Sequence, residues 1–509
     1  MVNIKQLVEK PHEIYRNYFK YWSFLLESYE GGVDYTKSSV TGNNTTTSTL
    51  EVLVNGKAVP RGTQANLFKH KKEREEDFTN RIDMSYFYNF NAPIIDIYTE
   101  HLFKQPVIED YANIQSIVDS RLENVDRMGS SMDEFRKEVG ENAQIYGHCF
   151  VVVDMPMEIG EVSLEQRQQT DRFPYFVIYS PDKVINWSLD QFGKAHWVLL
   201  CDRQDSNVDP FNYDPENKVD TTYRLWTRTE WVVYGSDFEE VDRGVNPTGE
   251  VPIVCVKDKA SKKVKNFLGI SALADIAFIS RDIFNLSSEL QELIRNQTFA
   301  FLALNGKATD YSEATIGTNR GLIYPHGFNA PVYVSPPPAN ADIIMSQINN
   351  QISQIYSLAK LEGGSGQFKG QNAVAQSGVG KAWDFNQTNS SLTKKASNLE
   401  DAEIKMWQLF AKWEGKEFEG SIEYSREFDV TSLMDDLAEA QELAKLNLGD
   451  MVNKEVNKAI IQKKFPRKPD ADIDLLVKDM EIAPKPQDKQ PSLFNRLGLK
   501  PTTKSGEQT

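Results

Sequence analysis

Histidine and cysteine are both scarce. Among 509 residues there are 6 His and 3 Cys, so the side chains that most often ligate metals or attack substrates are thinly supplied. Cys149, Cys201 and Cys255 are odd in number and share no CxxC spacing, and each lies in or beside an apolar run such as HCFVVV or PIVCV. That pattern suits buried free thiols in a reducing compartment. His12, His70, His101, His148, His196 and His326 make no HxH or HxxxH pair. Only His148 adjoins a cysteine. Neighbouring strand residues face opposite ways, which disfavours a shared ion and leaves packing as the better reading. No GxSxG or Cys-His-Asn signature accompanies them. The expectation is a chain with no catalytic residues, no metal and no cofactor.

Long apolar runs are missing too. No stretch approaches the roughly 18 apolar residues that suggest a membrane span. The opening MVNIKQLVEKPHEIY lacks a basic segment followed by an apolar core and cleavage site, so neither export nor insertion is expected. Positive charge is in deficit: 57 Lys and Arg stand against 73 Asp and Glu, a net charge of −16. Coating by nucleic acid is therefore disfavoured, and any DNA contact must be local or loose. Two basic clusters, Lys69 to Arg74 (KHKKER) and Lys257 to Lys265, have the composition of solvated surface and too few aromatics for a stacking platform. Phosphate loops are absent as well. In GVGKAW a Walker-type loop would need Gly at Ala375 and Ser or Thr at Ala382, and GGSGQFKG follows a helix instead of a strand.

What is present has ordinary globular proportions, 40% hydrophobic and 26% charged, and at about 150 residues per domain the length suggests roughly three or four units. Residues 1 to about 30 read as a helical start, and 31–64, rich in Gly, Ser, Thr and Asn, as loop and hairpin. From Asp77 to Leu102 apolar residues recur at helical intervals until Gln105 and Pro106 halt them. A helix from about Ser131 to Ala143 leads into HCFVVVDMP, a buried strand. Residues 175–256 are a succession of short β-branched and aromatic runs separated by turns.

Near Lys257 the character changes. Residues 270–296 contain no Gly or Pro and predict one long helix. A compact β-containing insertion follows from Thr298 to Ser335, ending in Pro336, Pro337 and Pro338. A second helix, about Asn340 to Leu361, has Ile344, Ile348, Ile352 and Ile355 on one face. Glu362 to Gly378 is a long glycine-bearing loop of the kind that is usually functional or disordered. A third helix, about Val379 to Trp413, repeats Leu392, Leu399, Met406 and Trp413 every seven residues, with Ala396 and Phe410 between, a seam for subunit or intrachain packing. IEYSREFDV reads as a strand, Leu433 to Ala459 as one or two helices, and the proline-bearing tail from Ala483 as mobile.

One polar pattern stands out. Asp275, Asp282, Glu289 and Asn296 recur every seven residues, with Asn285 and Glu292 beside them. At 3.6 residues per turn these share one helix face at steps of about 10.5 Å along the axis, opposite Leu273, Ile276, Ile283, Leu290 and Ile294. Taken alone, the stripe is equally a solvated helix face.

Helix, small β insertion, helix, glycine-bearing loop and long seamed helix, in that order, resemble the core of the portal proteins of tailed bacteriophages. NAPIIDIYTEHLFKQPV (Asn91 to Val107), YFVIYSPDKVINW (Tyr175 to Trp187), GEVPIV (Gly249 to Val254) and SGVGKAWDFNQTNSSLTKKASNLEDAE (Ser377 to Glu403) look like portal segments in equivalent order. The resemblance extends from about Asn91 to Val430. It implies an α+β portal-type fold: a mixed α/β wing at 1–256, stem helices at 257–297 and 339–361, and a small β-containing clip at 298–338. A tunnel loop at 362–378, a long wing helix and return strand at 379–432, a helical crown at 433–482 and a flexible tail at 483–509 complete it.

By the same resemblance the chain forms a twelve-subunit ring at one capsid vertex, nucleates head assembly and conducts double-stranded DNA during packaging and ejection. Its partners would be the terminase large subunit, then the head-completion adaptor, with the major capsid and scaffolding proteins around it and no membrane. It would assemble in the host cytoplasm and reside in the virion. Asp275, Asp282, Asn285, Glu289, Glu292 and Asn296 would line the channel. There the four acids outnumber Arg281 and Arg295, and the net −2 per chain repels phosphates and lets the duplex slide. Glu362, Gln367, Phe368, Lys369, Gln371 and Asn372 would belong to the tunnel loop in the bore, Phe368 and Lys369 being the candidates for touching DNA. Two competing classes are an enzyme of unknown chemistry, which predicts a pocket of convergent titratable groups, and a nucleic-acid-binding module, which predicts salt-sensitive DNA affinity.

Overall fold

A computed structural model describes residues 4–37, 52–54, 57–59, 66–119, 121–156, 172–205, 211, 219–262, 267–298, 301–303, 332–334, 339–361, 378–426, 428 and 458. The chain divides into two compact units, Met1–Phe428 and Asp429–Thr509, and of the second only Lys458 is described.

The N-terminal elements are α1 (Ile4–Glu9), α2 (Glu13–Glu30), α3 (Gly32–Lys37) and the hairpin of β1 (Val52–Val54) with β2 (Lys57–Val59). The single helical pattern expected over Asp77 to Leu102 is instead two helices, α4 (Glu75–Met84) and α5 (Asn91–Leu102). Side-chain bonds to the backbone make the break. The Ser85 hydroxyl donates back to the Arg81 carbonyl at 2.6 Å, and the Asn89 side chain accepts from the amides of Asn91 and Ala92 at 3.0 Å, starting a fresh helix.

After β3 (Ile108–Asp110) and α6 (Gln115–Val118) comes α7 (Met132–Tyr146), opened by a capping box between Ser131 and Glu134 and closed by Gly147 at φ 88°. HCFVVVD is β4 (His148–Asp154), buried throughout. Then follow β5 (Tyr175–Tyr179), β6 (Val184–Leu189), β7 (Ala195–Asp205), β8 (Val219–Thr227), β9 (Glu230–Tyr234), β10 (Glu240–Val245), β11 (Ile253–Lys257), β12 (Lys259–Ala260) and β13 (Gly269–Ile270). Strands β6 to β10 form an antiparallel meander, and β11, β4 and β5 a three-stranded antiparallel sheet. Gly269 passes so close to Gly147 that a Cβ on it would lie 1.9 Å from the Gly147 carbonyl oxygen.

The remaining described elements are α8 (Ile276–Thr298), β14 (Phe301–Ala303), β15 (Val332–Val334), α9 (Ala339–Leu358), α10 (Gly378–Trp413) and β16 (Ser421–Glu423). Helix α8 starts six residues later than expected. Ile270 is taken up in the β12–β13 ladder, and the Ser271 hydroxyl bonds the carbonyls of Gln144 and Ile145 while accepting from the Leu273 amide. These bonds hold the chain out of helix. The strand expected over IEYSREFDV is short because the Tyr424 amide leaves the ladder for the Glu400 carboxylate, 2.9 Å away. The run RGLIY, the loop 362–377, the helices expected over 433–459 apart from Lys458, and the tail lie outside the described residues.

The seam of α10 is spent within the chain. Leu392, Ala396, Leu399, Met406, Trp407 and Phe410 are buried in one cluster with Tyr98 and Leu102 of α5, Phe135 and Val139 of α7, Val151 and Val153 of β4, and Val254 and Val256 of β11. At its centre Arg136 of α7 makes a two-pronged bond to Glu403 of α10, at 2.6 and 2.9 Å. Burial alone would depress the guanidinium's pKa; the charge and hydrogen bond of Glu403, with Tyr424 and Glu109 beside it, together outweigh that and raise it. Tyr424 and Trp407 also donate to Glu403, at 2.7 and 3.1 Å.

Candidate functional site

The feature that the stripe and the order of elements single out is the hairpin of α8 and α9. Its far end is tied by antiparallel pairing of β14 with β15, Phe301 opposite Val334 and Ala303 opposite Val332. Along its length the expected apolar face of α9 is used: Ile348, Ile352 and Ile355 join the cluster that contains Ile276, Ile279 and Ile283 of α8. On its other flank α8 buries Ala277 and Phe284 against the cluster that includes Tyr15, Phe19 and Trp22 of α2.

The polar stripe divides. Asp275, in the turn just before α8, and Asp282 are exposed, while Glu289 and Glu292 are half-buried. Asp275 lies beside Tyr21, whose hydroxyl is pushed up to about 12 by burial first and by the Asp275 charge second. Asp282 accepts a hydrogen bond from Gln351 of α9, which joins the two helices by a polar contact. Asn285 does not belong to the exposed face. It is 7% exposed, accepts from the Phe68 amide at 2.8 Å, and donates to the carbonyls of Asn66 (2.9 Å) and Arg281 (2.8 Å). A segment more than two hundred residues away in sequence thus covers the position that helical spacing alone left open. Asn296 is within α8, but its side chain lies outside the described residues, as do Glu362, Gln367, Phe368, Lys369, Gln371 and Asn372.

Positive charge on the hairpin is slight. Neither helix contains a lysine, and of the two arginines Arg281 is folded over aromatic rings, 4.8 Å from Phe24, 5.1 Å from Phe278 and 5.3 Å from Phe68. The exposed surface of α9 is mostly neutral: Asp342 is its one charged residue, among Ser346, Gln347, Asn349 and Asn350.

At its inner end α9 is clamped. Lys360 at φ 55° and the bond from the Leu361 amide to the Tyr356 carbonyl, 2.9 Å, close the helix in a Schellman turn. Tyr98 of α5 donates to the Ala359 carbonyl, and Thr388 of α10 to that of Lys360. Lys395 sits over the Tyr98 ring at 5.1 Å and pairs with Asp258, whose carboxyl burial pushes up and Lys395 pulls down, with burial the stronger. Composition and spacing carry no signal for this clamp, because Tyr98, Asp258, Ala359 and Lys395 meet only in three dimensions.

His148 is fully buried, edge-on to Trp22 and Phe150, and burial holds its pKa down at about 3. Among the described residues no group of three or more His, Cys, Asp or Glu is placed to hold a metal, and no helix is long and apolar enough to cross a membrane.

No family model and no curated protein sequence matches the chain. Among solved structures, it is similar to a chain from the neck of the native GTA particle computed with C12 symmetry and to one from the neck of the empty GTA particle computed with C6 symmetry. In each case the identity is 12%, the TM-score 0.39, and the match covers 72% of this chain and 88% of that chain. The fold of the chain itself is mixed α+β.

Proposed function

We propose that this chain is a portal subunit: a non-enzymatic protein that closes into a twelve-membered ring at one capsid vertex of a phage-type particle and conducts double-stranded DNA in and out. The observation that carries the reading is the α8–α9 hairpin. It is a β-tipped pair of helices without lysine, with exposed Asp275 and Asp282 just before and on one helix and a mostly uncharged exposed surface on the other. A bore walled by such hairpins has few cations to exchange for the counterions of DNA, so it holds the duplex weakly and lets it pass. Asp275, Asp282, Glu289, Glu292 and Asn296 face the channel in this reading. Asn285 supports the wall from behind.

The segment from 362 leaves the clamp at Lys360 and reaches the bore as the tunnel loop, with Glu362, Gln367, Phe368, Lys369, Gln371 and Asn372. The clip, residues 298–338, receives the terminase large subunit during packaging and the head-completion adaptor afterwards. The major capsid and scaffolding proteins seat the ring when it nucleates head assembly in the host cytoplasm, and the ring remains in the virion.

Native mass measurement and negative-stain imaging of the purified full chain test this. Twelve-fold rings with a central hole are expected. A monomer or dimer under every assembly condition, or a hole lined by lysine and arginine, would refute the reading.

A further inference from the structure

Away from the hairpin, a cavity of about 700 Å3 opens between the turn joining β6 to β7, the loop before β11, β11 itself and the last turns of α10. Its charges are unusual for a chain of net charge −16: Lys194, Arg228, Lys257, Lys405 and Lys412 line it against Asp190 and Glu250. Arg228 is engaged by Asp190 at 3.1 Å, and Lys412 by Glu250. Lys194, Lys257 and Lys405 make no ion pair among the described residues. They come from three elements, and two of them converge: both Lys257 and Lys405 pull down the Cys255 thiol, which burial nonetheless pushes up to about 12.

The wall of this groove is a sheet edge. Strand β11 is the outer strand of β11-β4-β5. The Pro252 carbonyl accepts from Val153 at 2.9 Å and the Asp258 amide donates to Gly147 at 3.1 Å. Bonded and non-bonded residues alternate in an antiparallel ladder, so Val254 and Val256 also bond toward β4. The backbone N–H and C=O groups of Cys255 and Lys257 therefore turn to the open edge, and both residues line the cavity. Phe192, 79% exposed, stands among the lining residues as an uncovered apolar surface.

We propose that this groove is a docking site for an extended acidic segment of a partner protein. The segment adds as a strand to β11 and sets its carboxylates on Lys194, Lys257 and Lys405. The chemistry selects a peptide over nucleic acid. A strand edge offers donors and acceptors alternately, and a peptide backbone answers both, whereas phosphates only accept and would leave the edge carbonyls unmatched. An edge lysine by itself is also a device against strand addition, so Lys257 alone would argue for protection; three lysines around one edge instead match an acidic strand.

The test uses the full-length chain and two short labelled peptides, one alternating Glu with Val and the other Lys with Val, together with oligothymidylate. The Glu peptide is expected to bind and to slow hydrogen exchange at the amides of Cys255 and Lys257 by at least about tenfold. The double variant K194E/K405E should weaken that binding by at least about tenfold while its thermal unfolding stays that of the parent. Failure of the Glu peptide to bind, binding that leaves both amides exchanging as before, equal binding of the Lys peptide, or preference for oligothymidylate each overturns the proposal. None of these outcomes depends on whether the chain forms a ring.

Discussion

Replacing Glu403 by leucine removes the acceptor on which Arg136, Tyr424 and Trp407 converge. Both ionic side chains are essentially sealed, 2% and 3% exposed, so water cannot substitute. Breaking one side of a buried ion pair costs about 3–5 kcal/mol, and each buried donor left without a partner about 1–3 kcal/mol more. Arg136 keeps Asp133 at 3.1 Å and also Glu109, which places the ion-pair loss at the lower end. The expected total is about 5 kcal/mol. At a urea dependence of about 3 kcal/mol per molar, the unfolding midpoint of Glu403→Leu falls by about 1.7 M, read by tryptophan fluorescence. The double variant Arg136→Met with Glu403→Leu has no stranded guanidinium and should recover more than half of that loss. If the single variant unfolds within about 0.5 M of the parent, or the double variant is no better than the single, the pair does not hold α7 to α10 as argued.

Further outcomes are expected. His148 ionises at about 3 when folded and near 6.5 when unfolded, so the unfolded chain takes up the proton between those values and stability falls as pH drops below about 6.5. Urea midpoints should show His148→Leu losing about 2 kcal/mol less than the parent between pH 7 and pH 5. Gly269→Ala drives a methyl into the Gly147 carbonyl and should unfold the β12–β13 approach, seen as loss of soluble protein or a large drop in thermal midpoint. If the chain walls a DNA channel as proposed, changing Asp275, Asp282 and Glu289 together to Lys should leave the fold intact but make DNA retention tighter and steeply salt-dependent, with packaging impaired; normal packaging would refute the assignment of these residues to a channel wall.

Sequence periodicity was most informative where one element meets one partner. Ile348, Ile352 and Ile355 of α9, though not Ile344, and the seven-residue seam of α10 pack where spacing marked them, and β4 was plain from its unbroken apolar run. Whether the seam joined subunits or stayed within the chain could not be read, because a heptad says only that something packs there. The structure gives it to the chain's own sheet. Polar positions were less legible. Asn285 shares a face with the stripe by spacing, but Asn66 and Phe68 reach over it. The break before α5 and the late start of α8 both come from Ser or Asn side chains that bond backbone groups, and for Ser271 those groups lie 126 and 127 residues away. Lys395 and Asp258, 137 residues apart, left no local trace of their pairing.

The bond from Thr388 to Lys360 fixes more than the end of α9. Thr388 is ten residues along α10 from Gly378, about 15 Å of helix rise, so the anchor lies well inside α10 and not at its first turn. The inner end of α9 is thereby held to the body of the seamed helix, and a shift of either along its axis pulls on the other.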